Sequence, residues 1–145
     1  DWNLNICGEG KIREHIEAQI NKHNLSSRVK LYNYTTDVES VYLNNDIFIL
    51  PSRFEGFGIV QIEAISCGLP IIASELAITK ELISKYNYGK IFKHGDPYSL
   101  SKMMLWMANQ NLATYSENGY KAAKDFKKEI IALEWKALFN KLIYQ

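Results

Sequence analysis

The stretch that decides the fold runs from residue 46 to residue 74 and reads DIFILPSRFEGFGIVQIEAISCGLPIIAS. Its first part, residues 46–50, is an apolar run of strand length, and a loop with two glycines follows it. Residues 59–67 have the length and the apolar spacing of a helix, which the sequence Gly-Leu-Pro then ends. Residues 71–73 form the next strand, so the stretch predicts one strand–loop–helix–strand unit of a parallel sheet.

Short apolar runs and longer segments of helical period alternate along the rest of the chain. They predict strands over residues 2–7, 29–32 and 88–92, helices over residues 11–23, 36–43, 78–85 and 97–109, and two further helices over residues 113–144. This alternation is typical of an α/β fold with a Rossmann-like parallel sheet flanked by helices. A doubly wound sheet normally has a strand and a helix before such a unit. We therefore expect the chain to lack its first strand and helix and to be a fragment of a longer protein.

The composition is that of one folded soluble domain, with 145 residues of which 47% are hydrophobic and 23% are charged. Lys and Arg number 17 against 16 Asp and Glu, a balance that argues against a nucleic-acid binder with a basic surface. No apolar run approaches the ~20 residues that a membrane span needs, and the first residues do not resemble a signal peptide. We expect Cys7 and Cys67 to be small buried side chains in a reducing, cytoplasmic setting.

The loop of residues 51–58 is the candidate binding site. Ligands of open α/β sheets bind outside the carboxyl ends of the strands, where a helix N-terminus offers unpaired N–H groups and partial positive charge. Gly56 and Gly58 bring no side chain between the backbone and a ligand, so the loop is a candidate phosphate cradle. Glu55 and Glu63 frame it, and a diol such as a ribose would donate to both oxygens of Glu63. In the alternative, Glu63 pairs with a backbone group or a lysine, and Glu55 is a solvated loop residue.

The segment of residues 51–70 resembles the E-x7-E region of the retaining glycosyltransferases of the group 1 type (glycosyltransferase family 4, GT-B fold). The resemblance extends over residues 4–108 and includes a Gly-x-Gly after the first strand, at Gly8 and Gly10. It implies that the protein transfers a sugar, as a hexosyltransferase, from a nucleotide-diphosphate sugar to an acceptor with retention of the anomeric configuration. It also implies that residues 1–145 form the C-terminal, donor-binding domain of a two-domain protein, with a C-terminal helix at residues 127–145.

The same resemblance implies roles for the residues of the motif. Glu63 would hold the ribose hydroxyls, and Glu55 would contact the sugar and support the charge that develops at the anomeric carbon. Tyr34, after the second strand, would lie by the nucleobase. The sugar and the diphosphate would be received by backbone amides at Gly56, Phe57, Gly58, Ile59 and Val60.

No metal and no other cofactor is expected, because the sequence has no D-x-D motif and its three histidines are scattered. The donor itself, a UDP- or GDP-linked sugar, is a substrate. The implied partners are an acceptor glycan, lipid or protein and a missing N-terminal domain, through which any peripheral membrane association would occur. An Arg and Lys pair that neutralises the diphosphate would come from the missing first strand and helix of the donor domain itself. The setting would be cell-surface polysaccharide or glycan synthesis on the cytoplasmic side, including the inner face of the membrane, and the fragment alone would be inactive in transfer.

Two alternatives remain open, a GT-B sugar-nucleotide epimerase and a non-catalytic nucleotide-sugar binding module. A Rossmann dehydrogenase fits poorly, because Arg13 stands where the G-x-G-x-x-G fingerprint has its third glycine. The strand of residues 29–32 also runs into Asn33 and offers no acidic residue for a ribose.

Overall fold

The computed structural model describes residues 2–143, and the chain divides into two compact units with the boundary after Val38. The first unit contains strand β1 (Leu4–Cys7), helix α1 (Arg13–Lys22) and strand β2 (Val29–Tyr32). The strands pair in parallel, with Leu4 opposite Val29 and Cys7 opposite Tyr32. A parallel pair needs a crossover between its strands, and α1 provides it.

Arg13 stands in the first unit where a dinucleotide-binding fold has the third glycine of its G-x-G-x-x-G fingerprint. Its guanidinium pairs with Glu17 at 3.1 Å and lies 3.4 Å from the carbonyl oxygens of Gly8, Leu31 and Tyr32. The side chain therefore lies over the carboxyl ends of both strands, where a glycine would leave that edge of the pair open.

The second unit is built from alternating strands and helices. Helix α2 crosses the boundary between the units. The elements are α2 (Val38–Leu43), β3 (Phe48–Leu50), α3 (Ile59–Ser66), β4 (Ile71–Ser74), α4 (Ala77–Tyr86), β5 (Gly89–Phe92), α5 (Pro97–Met107), α6 (Leu112–Asp125) and α7 (Lys128–Ile143). The three strands form a parallel sheet in the order β3-β4-β5.

Strand β4 lies at the centre of this sheet and is buried along its whole length. On one face, residues of α3, α4 and α6 pack over Ile71, with Ile65 fully buried among them. On the other face, Ile72 packs with Phe92 and with Met107 of α5. Helices therefore cover both faces, which is why all four residues of β4 are buried, as central parallel strands usually are.

The predicted α/β class, with parallel strands flanked by helices, is confirmed. The strands are divided between a two-stranded and a three-stranded sheet, which the sequence pattern did not indicate. The prediction of two buried cysteines is wrong for Cys7, which is exposed and donates from Sγ to the carbonyl oxygen of Asn33 at 3.3 Å, whereas Cys67 is half-buried. The last residues of the predicted C-terminal helix, 144–145, lie outside the described residues.

The large apolar side chains of helix α7 are mostly exposed, among them Leu133, Leu138 and Leu142. Trp135 and Phe139 stack on each other with ring centroids 5.5 Å apart, and both rings remain about half exposed. No helix within residues 2–143 combines the length and the apolarity that a membrane span requires.

Candidate functional site

The loop between β3 and α3 begins at the carboxyl end of the sheet, and the neighbouring strand fastens its first residues. Ser74 ends β4 and is fully buried, and its hydroxyl donates to the carbonyl oxygen of Ser52 at 2.6 Å. The hydroxyl of Thr79 in turn donates to the carbonyl oxygen of Ser74 at 2.6 Å. Because Ser74 and Thr79 are both buried, water does not compete for these bonds, and the start of the loop is held in one position.

Glu55 is half-buried in the middle of the loop. The hydroxyl of Ser52 donates to its Oε1 at 2.7 Å, so the loop orients its own carboxylate. The other oxygen faces the start of α3, since a Cβ placed on Gly58 would lie 3.7 Å from Glu55 Oε2. The carboxylate is therefore beside the point where the helix N-terminus begins.

Gly58 is the residue from which α3 starts, and its backbone is left-handed, with φ +76° and ψ +59°. Glycine adopts this conformation without steric cost, and it has no side chain that could cap the helix. The first N–H groups of a helix lack partners inside the helix. No acidic residue stands in the first turn of α3, so its N-terminus keeps its partial positive charge available to a ligand.

Gln61 lies inside the first turn of α3 and is fully buried. Its Nε2 donates to the carbonyl oxygen of Phe57 at 2.8 Å, and its Oε1 accepts from the hydroxyl of Tyr88 at 3.0 Å. Burial raises the pKa of Tyr88 above its ordinary value, and the nearby Tyr86 adds to the effect. This pair was missed at the sequence level. The available signal was a glutamine within a helix of apolar residues, since a buried amide needs hydrogen-bond partners.

Glu63 projects from the second turn of α3 and is exposed. Its Oε2 accepts from the hydroxyl of Tyr42 at 3.1 Å, and that hydroxyl lies 3.4 Å from the carbonyl oxygen of Val60. Tyr42 itself is buried in the core of the unit. The partner of Glu63 is thus a tyrosine hydroxyl, not the lysine or backbone group of the alternative interpretation. Burial, together with the charges of Glu39 and Glu63, raises the pKa of the Cys67 thiol nearby.

Seven of the eight residues predicted for the site lie together in the loop and the first two turns of α3. They are Glu55, Gly56, Phe57, Gly58, Ile59, Val60 and Glu63. Tyr34 follows β2 in the first unit and is 72% exposed. Its role beside a nucleobase stays a prediction, as do the roles of the other seven.

Metal ligands do not converge in this part of the chain. Within residues 2–143, no group of three His, Cys, Asp or Glu side chains is arranged to hold a metal ion. The N-terminus of α3 and the loop amides are groups in this part of the chain that could bind a diphosphate.

A helix N-terminus that opens beyond a parallel strand, with carboxylates on either side of it, is typical of nucleotide-binding α/β proteins. The chain belongs to the family described as "Glycosyl transferases group 1", whose profile matches residues 1–128. The fold is that of the C-terminal half of a GT-B glycosyltransferase.

Three relatives illustrate the similarity. An uncharacterized glycosyltransferase of Methanocaldococcus jannaschii is 28% identical, over 98% of this chain and 41% of the relative. The O-antigen biosynthesis glycosyltransferase WclY of Escherichia coli is 25% identical, over 94% of this chain and 38% of the relative. A mutant of S. aureus TarM, solved with Fondaparinux, alpha-GlcNAc-glycerol and UDP, is 26% identical with a TM-score of 0.80. That match covers 95% of this chain and 29% of TarM. The chain thus spans less than half the length of each.

Proposed function

We propose that this chain binds the donor of a retaining glycosyltransferase, which transfers a hexose from a UDP- or GDP-linked sugar to an acceptor hydroxyl. One observation carries the proposal: the N-terminus of α3 has no side-chain cap, Glu55 lies in the loop just before it and Glu63 lies in the second turn after it. The UDP present in the TarM structure supports a uridine nucleotide as the first donor to test.

In the proposed reaction, the bond between the anomeric carbon and the diphosphate oxygen breaks, and the acceptor oxygen forms a bond to the same face of that carbon. The nucleoside diphosphate leaves with the bonding electron pair, and the acceptor hydroxyl gives its proton to an oxygen of that departing diphosphate. Positive charge grows on the sugar, where the carboxylate of Glu55 stabilises it. Negative charge grows on the diphosphate, where preoriented N–H groups of the loop and of α3 stabilise it.

The role proposed for Glu63 follows from its position on α3. The carboxylate is exposed, and the hydroxyl of Tyr42 occupies one lone pair of one of its oxygens. A carboxylate has about four acceptor positions, so the two hydroxyls of a ribose still find acceptors there. Tyr42 restricts the rotamer of Glu63, which lowers the entropy that a ribose must overcome on binding.

We further propose that no metal ion or other cofactor takes part, because helix amides and cationic side chains neutralise the diphosphate. The missing partner in this proposal is an N-terminal domain that binds the acceptor, which is a glycan, a lipid or a protein. Synthesis of cell-surface glycans on the cytoplasmic side is the proposed setting, including peripheral association with the membrane through that domain. The role of WclY in O-antigen biosynthesis supports this setting.

The test is the thermal stability of the protein with UDP, GDP, ADP and NAD, each with and without EDTA. A ligand at ~100 times its dissociation constant adds about 2.7 kcal/mol to the free energy of unfolding, a shift of several degrees for a domain of this size. We expect UDP or GDP to raise Tm, NAD to leave it unchanged, and EDTA to make no difference.

Three variants assign the effect to the site. Glu63→Ala should abolish the shift, whereas Tyr42→Phe keeps the carboxylate and should retain most of it. Glu117→Ala, at an exposed glutamate on α6 that pairs with Lys121, should respond like the wild type. The proposal is wrong if neither UDP nor GDP shifts the wild type, or if Glu63→Ala responds as strongly as Glu117→Ala.

A further inference from the structure

The buried pair Gln61–Tyr88 has a position that core packing alone does not explain. Both side chains are fully shielded from solvent, and Gln61 joins a core tyrosine to the backbone of the candidate loop. We propose that this pair positions the diphosphate site by holding the Phe57–Gly58 peptide so that the Gly58 N–H points toward the donor. The inference rests on the function proposed above and concerns two residues to which the sequence analysis assigned no role.

The Phe57 carbonyl and the Tyr88 hydroxyl together fix which way the Gln61 amide is oriented. The carbonyl oxygen of Phe57 only accepts hydrogen bonds, so the NH₂ group of Gln61 must face it. The amide oxygen then faces Tyr88, whose hydroxyl is the donor of the second bond. Tyr88 thereby selects the amide orientation that donates to the loop.

The planar peptide between Phe57 and Gly58 sets the direction of the Gly58 N–H. In a planar trans peptide, the carbonyl and the following N–H point in opposite directions. Because the carbonyl of Phe57 points inward to Gln61, the N–H of Gly58 points away from the buried amide. Gly58 also begins α3, so this N–H lies next to the first N–H groups of the helix.

Removing both side chains at once separates a role in positioning the Gly58 N–H from a role in stability alone. Replacing both partners of a buried hydrogen bond by apolar groups of similar shape is often nearly neutral for stability, whereas removing one leaves a polar group unsatisfied. The double variant Gln61→Leu/Tyr88→Phe leaves neither partner of the Gln61–Tyr88 bond unsatisfied, so its loss of stability should be limited to the bond from Gln61 to the Phe57 carbonyl. The Phe57 carbonyl is nevertheless no longer held in it, so the positioning of the Gly58 N–H is lost.

The experiment is an NMR titration of the wild type, Tyr88→Phe and the double variant with UDP and with uridine. GDP and guanosine replace them if GDP is the nucleotide that stabilises the wild type. Losing one hydrogen bond to a charged oxygen should weaken nucleoside diphosphate binding about tenfold to a hundredfold. Nucleoside binding should stay the same, because the proposed partner of the Gly58 N–H is a phosphate oxygen, which a nucleoside lacks. The Gly58 amide signal should move with the diphosphate in the wild type and much less in the double variant.

The outcomes separate the two proposals. If the wild type binds the diphosphate and the double variant binds it equally well, the positioning role is wrong and the proposed function stands. If diphosphate and nucleoside weaken by the same factor, the pair acts only on the fold, and the inference is again wrong. If the wild type binds neither UDP nor GDP, both the proposed function and the inference fail.

Discussion

Replacing Gly58 by alanine perturbs the site at one atom and tests its geometry directly. The residue has φ +76°, and an added Cβ would lie 2.9 Å from Nε2 of Gln61. That amide cannot move away freely, because it bonds to the Phe57 carbonyl at 2.8 Å and to the Tyr88 hydroxyl at 3.0 Å. Gly58→Ala therefore combines backbone strain with the loss of a buried hydrogen bond.

The two contributions can be estimated separately. A left-handed backbone costs a residue with a Cβ roughly 1–2 kcal/mol, of which about 0.4–1 is offset by the stiffer unfolded chain. Displacing the Gln61 amide leaves buried polar groups without partners, at about 1–3 kcal/mol. We expect the free energy of unfolding to fall by roughly 1–4.5 kcal/mol, at about 2–4 °C in Tm for each kcal/mol.

Alanine variants of two other glycines in the second unit separate the cost of the backbone strain from the cost of the contact with Gln61. A Cβ on Gly95 meets nothing within 4 Å, but the residue has φ +71°. A Cβ on Gly56 also meets nothing within 4 Å, and no positive φ is found there. In thermal or urea unfolding, Gly56→Ala should be neutral or slightly stabilising and Gly95→Ala should show the backbone cost alone. Gly58→Ala should be the least stable of the three.

The relative stabilities of the three alanine variants test both the contact with Gln61 and the left-handed backbone at Gly58. Equal stability of the Gly58 and Gly95 variants would show that the Gln61 amide does not lie against Gly58. Equal stability of all three would show that the left-handed start of α3 is incorrect.

Three further predictions concern the second unit. Ile65→Ala should lower the free energy of unfolding in urea by about 2–5 kcal/mol, because the side chain is fully buried between the sheet and α6. Asp96→Ala should cost about 0.5–2 kcal/mol in the same assay, since the Asp96 carboxylate caps α5 by accepting from the Ser99 amide at 3.0 Å. Burial raises the pKa of Tyr88, so the native state keeps a proton that the unfolded state releases above pH ~10. This contribution is complete below that pH and declines above it, so between pH 9.5 and 11 the Tyr88→Phe variant should lose less stability than the wild type in parallel urea titrations.

Local signals in the sequence were sufficient to locate most elements of the fold. Strand β2 has the predicted bounds, and α5 begins at Pro97 as predicted, because a proline after a capping aspartate is a local signal. Gly68 has φ +83° just after α3, as expected of a glycine that ends a helix. The division of the strands into two sheets was not predicted, because strand pairing depends on contacts between segments that are distant in the sequence.

The difference between local signals and contacts between distant segments also applies to the site. The carboxylates and glycines of the loop could be predicted, because they lie within nine consecutive residues, 55–63. Their partners could not, since Tyr42 precedes Glu63 by 21 residues and Tyr88 follows Gln61 by 27. No periodicity in a single sequence connects such pairs. The sequence indicated only that Glu63 needs hydrogen-bond partners, whereas the burial of Gln61 on the same short helix was missed and needs an explanation.

Helix geometry supplies that explanation. Gln61 and Glu63 are two positions apart on α3, so their side chains point in directions that differ by about 200°. If one faces the core, the other must face solvent, as their burial shows. An eight-residue helix that presents Glu63 to a ligand therefore turns residue 61 toward the sheet, next to the loop that carries Glu55. A polar side chain at position 61 can hold the loop from inside, whereas an apolar one could fill the space but could not orient the Phe57 carbonyl.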